Sequence, residues 1–142
     1  MSYDTNNIFA KILRGEIPAC KVYEDEYTLA FMDVMPQSDG HVLVIPKVAA
    51  TNLFEISPNA LSRLIVATQT IARAAQSAFT ADGVTIMQFN GAAAGQTVPH
   101  IHFHVIPRYE GKPLRSHARE MADIKILTGQ AEELMQVLSN HG

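Results

Sequence analysis

The spacing of apolar positions changes several times along the chain, and each change marks an element. In residues 7–14, NIFAKILR, Ile8 with Ile12 and Phe9 with Leu13 lie four apart, which predicts one apolar helix face, ended by Gly15. Lys21–Asp25 and Thr28–Asp33 are short β-prone runs joined by a tight polar turn. MPQSDG then breaks the chain before His41–Pro46, a continuous apolar run that fits a strand buried on both faces.

Ser57-Pro58 opens the clearest helix, with serine as N-cap and proline at the first helical position. Leu61, Leu64, Ile65, Thr68, Ile71, Ala72, Ala75 and Phe79 form its stripe, and Asp82-Gly83 is the expected stop. Val84–Phe89 reads as a further strand. A small-residue loop, NGAAAGQTV, leads from it into HIHFHVI, residues 100–106, where strict alternation predicts another strand. A C-terminal helix is expected over about residues 122–139, with Gly129 as its point of interruption. Strands on both sides of a central helix predict an α+β fold on an antiparallel sheet. No linker or repeat divides the 142 residues, so one domain is expected, with a C-terminal helical extension from about residue 115.

Composition narrows the class. At 47% hydrophobic and 18% charged, the chain has the balance of a globular protein. Eleven basic against 14 acidic side chains argue against a nucleic-acid partner, which calls for a basic excess. One cysteine, Cys20, permits no intrachain disulfide and fits a reducing, cytoplasmic setting. No apolar run approaches the ~20 residues of a membrane helix, so no membrane association is expected.

The candidate chemistry lies in the histidine run. On a strand, His100, His102 and His104 share one face while Ile101, Phe103 and Val105 point to the other. Neighbouring histidines are then about 6.6 Å apart and the outer two about 13 Å. Zinc needs ligand nitrogens within about 2.0–2.1 Å, so three in a straight row make a poor clamp. Two other readings stand: a polar strand face, or a catalytic row. A neutral imidazole is a good nucleophile near neutral pH once its other nitrogen is held by an acceptor. The preceding loop adds backbone N–H groups at Gly95, Gln96 and Thr97, and the Thr97 hydroxyl, as candidate phosphate donors.

GQTVPHIHFHVI, residues 95–106, resembles the signature of the histidine triad (HIT) family. The likeness extends over about 100 residues, from NIFAKILRGEIPA through AFMDVMPQSDGHVLVIPK to HVIPR. It implies the HIT α+β fold, with an antiparallel sheet of about five strands, a main helix and a C-terminal helix. It also implies a homodimer and two-step cleavage of nucleoside 5′-phosphate derivatives without a metal cofactor. By the same resemblance His102 attacks the α-phosphorus and forms a nucleotidyl-histidine. His104 donates to the phosphate, His100 orients the row or the leaving group, and His41 braces the triad. Asp33 matches the residue that holds the ribose hydroxyls, though as a lone residue it reads equally as a turn initiator. Ile8, Phe9, Ile12, Phe31 and Val34 resemble the apolar base pocket; without the likeness they read as core.

Three features depart from the pattern. Some relatives carry CxxC near the N-terminus as half of a structural zinc site; here Asn7 and Ala10 stand in those places. An amide is often found six residues before the glycine of GQ, but that count lands on Phe89, with Asn90 one residue on and so on the opposite strand face. Asn90 reaches a phosphate only if a bulge or loop turns it round. Third, the N-terminal half resembles the Hint branch, which cleaves phosphoramidates, whereas the triad region also resembles the Fhit branch, which cleaves dinucleoside polyphosphates. A nucleotide hydrolase or phosphoramidase is the leading expectation. A nucleotide-binding regulatory or adaptor protein with little turnover is the alternative, since binding and catalysis use the same groups.

Overall fold

The computed structural model describes residues 3–115 and 121–141. In chain order they form α1 (Ile8–Leu13), β1 (Lys21–Glu24), β2 (Thr28–Met32), β3 (Val42–Pro46), α2 (Pro58–Ala78), β4 (Gly83–Met87), β5 (Phe103–Arg108) and α3 (Ile124–His141). The strands make one open antiparallel sheet in the order β1-β2-β3-β5-β4. This is the expected α+β class.

β2 and β3 occupy the interior of the sheet, and every residue of both is buried. Apart from Thr28 their sequences are apolar, as cover on both sides requires. On one face Ala30, Met32, Val42 and Val44 join Leu64 and Ile71 of α2 and Leu127 and Leu134 of α3. On the other face Leu29, Phe31, Leu43 and Ile45 pack against Phe9 and Ile12 of α1. The short α1 thus covers the same face as the histidines.

Apart from shifts of one or two residues at element ends, three features differ from the sequence expectation. α2 starts as expected, with the Ser57 side chain accepting from the Ala60 N–H. It ends at Ala78, before Asp82-Gly83. Thr80 takes a left-handed backbone (φ 50°), and the Ala81 N–H returns to the Gln76 carbonyl at 3.1 Å. α3 runs without a break through Gly129. A helical glycine costs about 1 kcal/mol against alanine, and burial of Leu127, Ala131 and Leu134 on either side outweighs it.

The third difference concerns the histidine run itself. Only His104 lies in a strand; β5 begins at Phe103, and His100 and His102 belong to the extended segment leading in. β3 pairs β5 only from Val42–Val44, and ahead of that the ladder is replaced. The Ile101 N–H goes to the Ala50 carbonyl, and the His100 ring bonds the Pro46 carbonyl. Alternation of faces survives: Ile101 and Val105 join the α2/α3 side, with Phe103 packed against it. Pro107 is accommodated within β5. The Arg108 carbonyl faces β4, so the proline nitrogen faces the side that β3 no longer covers.

The loop from β2 to β3 carries Asp33 and His41, joined by a bond from the Asp33 N–H to the His41 carbonyl. Gly40 has φ +86°, and a Cβ there would meet the Phe79 ring at 2.5 Å, so only glycine fits beside His41. The chain beyond β5 returns to this loop. The Arg115 N–H donates to the Gln37 carbonyl, and the Ala122 N–H to that of Val34. Among the described residues, no helix is long and apolar enough to cross a membrane.

Candidate active site

His41, His100, His102 and His104 converge beside α1. His41 and His100 are 0% exposed, whereas His102 and His104 each keep 6%. That difference sorts them: two rings reach the surface at an edge and two are fully covered. The His102 and His104 rings lie 5.0 Å apart, centroid to centroid, and His104 is 5.2 Å from His41. The Phe9 ring meets the His102 ring edge-on at 4.9 Å, and Phe89 meets His104 at 5.6 Å.

Hydrogen-bond partners assign the tautomers. A carbonyl only accepts, so His100 donates through Nε2 to the Pro46 carbonyl at 2.9 Å. Its Nδ1 then accepts from the Tyr3 hydroxyl at 2.5 Å. His102 donates through Nδ1 to the His100 backbone carbonyl at 2.7 Å, which in the neutral ring leaves the lone pair on Nε2. His41 Nδ1 takes the Gln37 N–H at 3.1 Å, so its proton is on Nε2, 3.0 Å from His104 Nδ1. His104 in turn carries its hydrogen on Nε2. In these tautomers the lone pair of His102 is on Nε2 and the N–H of His104 is also on Nε2.

Burial pushes the His100 imidazole down to about 4 from an ordinary 6.5; desolvation of the charged ring outweighs the Pro46 carbonyl, and His102 lowers it further. Between those values the unfolded chain takes up a proton that the folded site refuses. Stability therefore rises with pH through this window, is fully present above about 6.5, and is lost as pH falls towards 4. We expect wild-type protein to lose on the order of 2–3 kcal/mol more than His100→Asn on going from pH 7 to pH 4.5. Urea unfolding at both values measures it, and equal losses would mean that His100 titrates normally.

Asp33, His41 and His104 place ligand atoms within 4.8 Å of one another, and all three are buried. The 3.0 Å separation of His41 Nε2 and His104 Nδ1 is a hydrogen-bond length, shorter than the roughly 3.3 Å between two ligands of a tetrahedral zinc. Asp33 Oδ2 lies 3.5 Å from His41 Nε2, and its Oδ1 accepts the Met35 N–H. The aspartate thus makes the turn that its residue type suggests and also faces His41. At the positions of the CxxC found in some relatives, the donor set does not suit zinc. The Asn7 side chain caps α1 by accepting from the Ala10 N–H, and Ala10 offers no ligand.

The remaining expected site residues divide. Phe9, Ile12 and Phe31 are buried in the cluster beneath the histidines, while Ile8 and Val34 are 47% and 40% exposed. Gly95 and Gln96 do not present their N–H groups as expected. The Ala92–Ala94 stretch forms a 3₁₀ turn, in which they donate to the Ala92 and Gly91 carbonyls. The Gln96 side chain ties the loop down through Gly91, Thr51 and Val98. Asn90 lies beyond the end of β4, paired with Gln88 and accepting from the Leu53 N–H, so the strand-face count does not apply to it. Thr97 is exposed and, among the described residues, its N–H and hydroxyl have no partner. At the end of β5 Arg108 bonds Thr85, and beyond it Arg115 pairs with Asp39 at the surface; His117 and Arg119 lie outside the described residues. Two contributors were not expected. Phe89 backs His104 and underlies Gly95, and Tyr3 reaches His100. The gapless count back from Gly95 did land on Phe89; a lone tyrosine near the N-terminus carries no periodic signal.

This buried row of imidazoles, with tautomers set by carbonyls and a fourth histidine, defines a histidine-triad site, and the HIT domain family profile matches residues 14–111. The chain belongs to the HIT family. A crystal structure of a Hit-like protein from Bartonella henselae superposes with a TM-score of 0.93 at 49% identity, covering 96% of this chain and 99% of that one. The Arabidopsis thaliana adenylylsulfatase HINT3 is 35% identical over 140 residues, 94% of this chain and 68% of that protein. The Saccharomyces cerevisiae adenosine 5′-monophosphoramidase HNT1 is 37% identical over 109 residues, 77% of this chain and 66% of that protein.

Proposed function

We propose that the protein is a nucleotide hydrolase that cleaves nucleoside 5′-phosphate derivatives through a nucleotidyl-His102 intermediate. The observation that carries this is the bond from His102 Nδ1 to the His100 carbonyl, which puts the nucleophilic lone pair on Nε2. His102 Nε2 forms a bond to the α-phosphorus as the bond to the leaving group breaks. His104 Nε2–H donates to the phosphoryl oxygen or the departing atom, and Thr97 adds a donor from the loop. Water then breaks the P–N bond, releases the mononucleotide and restores His102. Asp33 holds the ribose hydroxyls, Ile8 and Val34 are the exposed apolar edge for the base, and Phe9, Ile12 and Phe31 form its floor.

The named activities of the yeast and plant relatives support cleavage next to an adenylyl phosphorus and favour a phosphoramidate or mixed-anhydride leaving group over a second nucleotide. A panel of adenosine 5′-phosphoramidate, adenylylsulfate and diadenosine tetraphosphate tests this by AMP release. We expect turnover of the first two to exceed that of the third by at least about tenfold in kcat/KM; the reverse order would move the protein to dinucleoside polyphosphate hydrolysis. The domain is proposed to span residues 1–142 and to act as a cytoplasmic homodimer. β4 supports pairing, since it is a sheet edge with Ile86 exposed.

A further inference from the structure

Tyr3 enters the site from outside any regular element, and its hydroxyl stands between two partners of fixed role. The Asn7 Nδ2 amide only donates, and it lies 2.8 Å from the tyrosine oxygen. The Tyr3 hydrogen is thereby directed to His100 Nδ1, at 2.5 Å. On the far side of the ring, Nε2 donates to the Pro46 carbonyl. Every donor in the series Asn7, Tyr3, His100, Pro46 points the same way. Asn7 is itself oriented, because its oxygen caps the Ala10 N–H and its amide also donates to the Asp4 carbonyl at 2.7 Å. The direction of the series thus begins at the N-terminus of α1.

The consequence reaches His102. Hydrogen bonds on both ring nitrogens fix the His100 side chain, and the carbonyl of that same residue holds His102 Nδ1. We propose that Tyr3 is a positioning residue: with Asn7 it selects the Nε2–H tautomer of His100 and through that residue's carbonyl aims His102. Without the hydroxyl, the buried Nδ1 lacks a donor. Phenylalanine offers no acceptor for a proton on Nδ1, so the Nε2–H bond to Pro46 is kept and the ring, held at one nitrogen only, rotates to recover a partner. That rotation loosens the peptide that orients the nucleophile, and small misplacements of a reacting group are costly in rate. This inference deepens the reading of His102 as nucleophile and rests on it.

The test uses full-length protein labelled with ¹⁵N-histidine, in the wild type, in Tyr3→Phe and in Asn7→Asp. Aspartate keeps the oxygen that caps α1 but replaces the donor to Tyr3 with an acceptor, so the tyrosine hydrogen turns away from His100. Long-range ¹H–¹⁵N spectra report each ring's tautomer. We expect wild-type His100 to be protonated on Nε2 and Asn7→Asp to shift it towards Nδ1 protonation or a mixture. Tyr3→Phe should keep the Nε2 proton but move the Nδ1 resonance as its hydrogen bond is lost. In both variants kcat should fall about tenfold with KM changed less than about twofold. Asn7→Asp decides the matter if Tyr3→Phe does not fold. Wild-type His100 protonated on Nδ1, a folded Asn7→Asp protein with an unchanged His100 tautomer and kcat, or a folded Tyr3→Phe protein with unchanged His100 ring signals and kcat, would overturn the proposal. If the wild type turns over no nucleotide, the functional reading fails, while the ring signals still decide whether Tyr3 sets the tautomer.

Discussion

Replacing His102 with alanine lowers kcat for every cleavable nucleotide by about 10³-fold or more, while nucleotide still binds. The expectation follows from the division of roles among the four rings. His100 and His41 have no exposed surface, and each has both ring nitrogens engaged. His104 Nδ1 accepts from His41, which commits its other nitrogen to donation. His102 has its Nδ1 proton held by the His100 carbonyl, which puts its lone pair on Nε2. Alanine removes the nucleophile and leaves Phe9 facing a small void. Truncating this buried side chain should cost about 2–5 kcal/mol of stability. Turnover within tenfold of wild type in a folded His102→Ala protein would remove the nucleophilic assignment. Calorimetric titration with AMP separates lost binding from lost chemistry.

The second large effect is expected at His104. His104→Ala removes the Nε2–H donor, and loss of one donor to developing phosphoryl charge typically costs about 10²-fold in kcat. It also takes the acceptor away from His41 Nε2–H, which then leans on Asp33 Oδ2 at 3.5 Å. A buried group left poorly paired costs about 1–3 kcal/mol, so Tm should fall as well. His104→Gln presents both an N–H donor and a carbonyl acceptor from a side chain of similar reach. It should recover part of the rate and most of the stability. An alanine variant as active as wild type in single-turnover assays would place the phosphate donor elsewhere, with Thr97 the first alternative.

Much of this arrangement could be read from the chain because its signals are local. Alternation in HIHFHVI puts the imidazoles on one face and Ile101 and Val105 on the other, and packing demands that division even where the ladder itself is replaced. Ser57-Pro58 states a helix start in two residues. The apolar run at Val42–Pro46 states a covered strand. What could not be read depends on long-range partners or on conformations that a residue type does not announce. Thr80 takes the left-handed turn expected near Gly83 because the helix end and the approach to β4 require it there. The Gln96 side chain donates its amide to the Thr51 carbonyl, 45 positions away, a partner that nothing beside Gln96 announces. Gly95 and Gln96 donate within their own 3₁₀ turn, an outcome that three alanines in a row permit but do not declare. Tyr3 is 97 positions from His100, so nothing near either residue points to the other.

The central claim is a covalent bond between His102 Nε2 and an adenylyl phosphorus, and the most direct measurement is to trap it. Protein mixed with adenosine 5′-phosphoramidate and quenched within one turnover should gain the mass of one adenylyl group, with fragmentation placing it on the peptide containing His102. The same adduct should be absent from His102→Ala. Substrate turnover without any adduct on wild-type protein, or an adduct on another residue, would contradict the account.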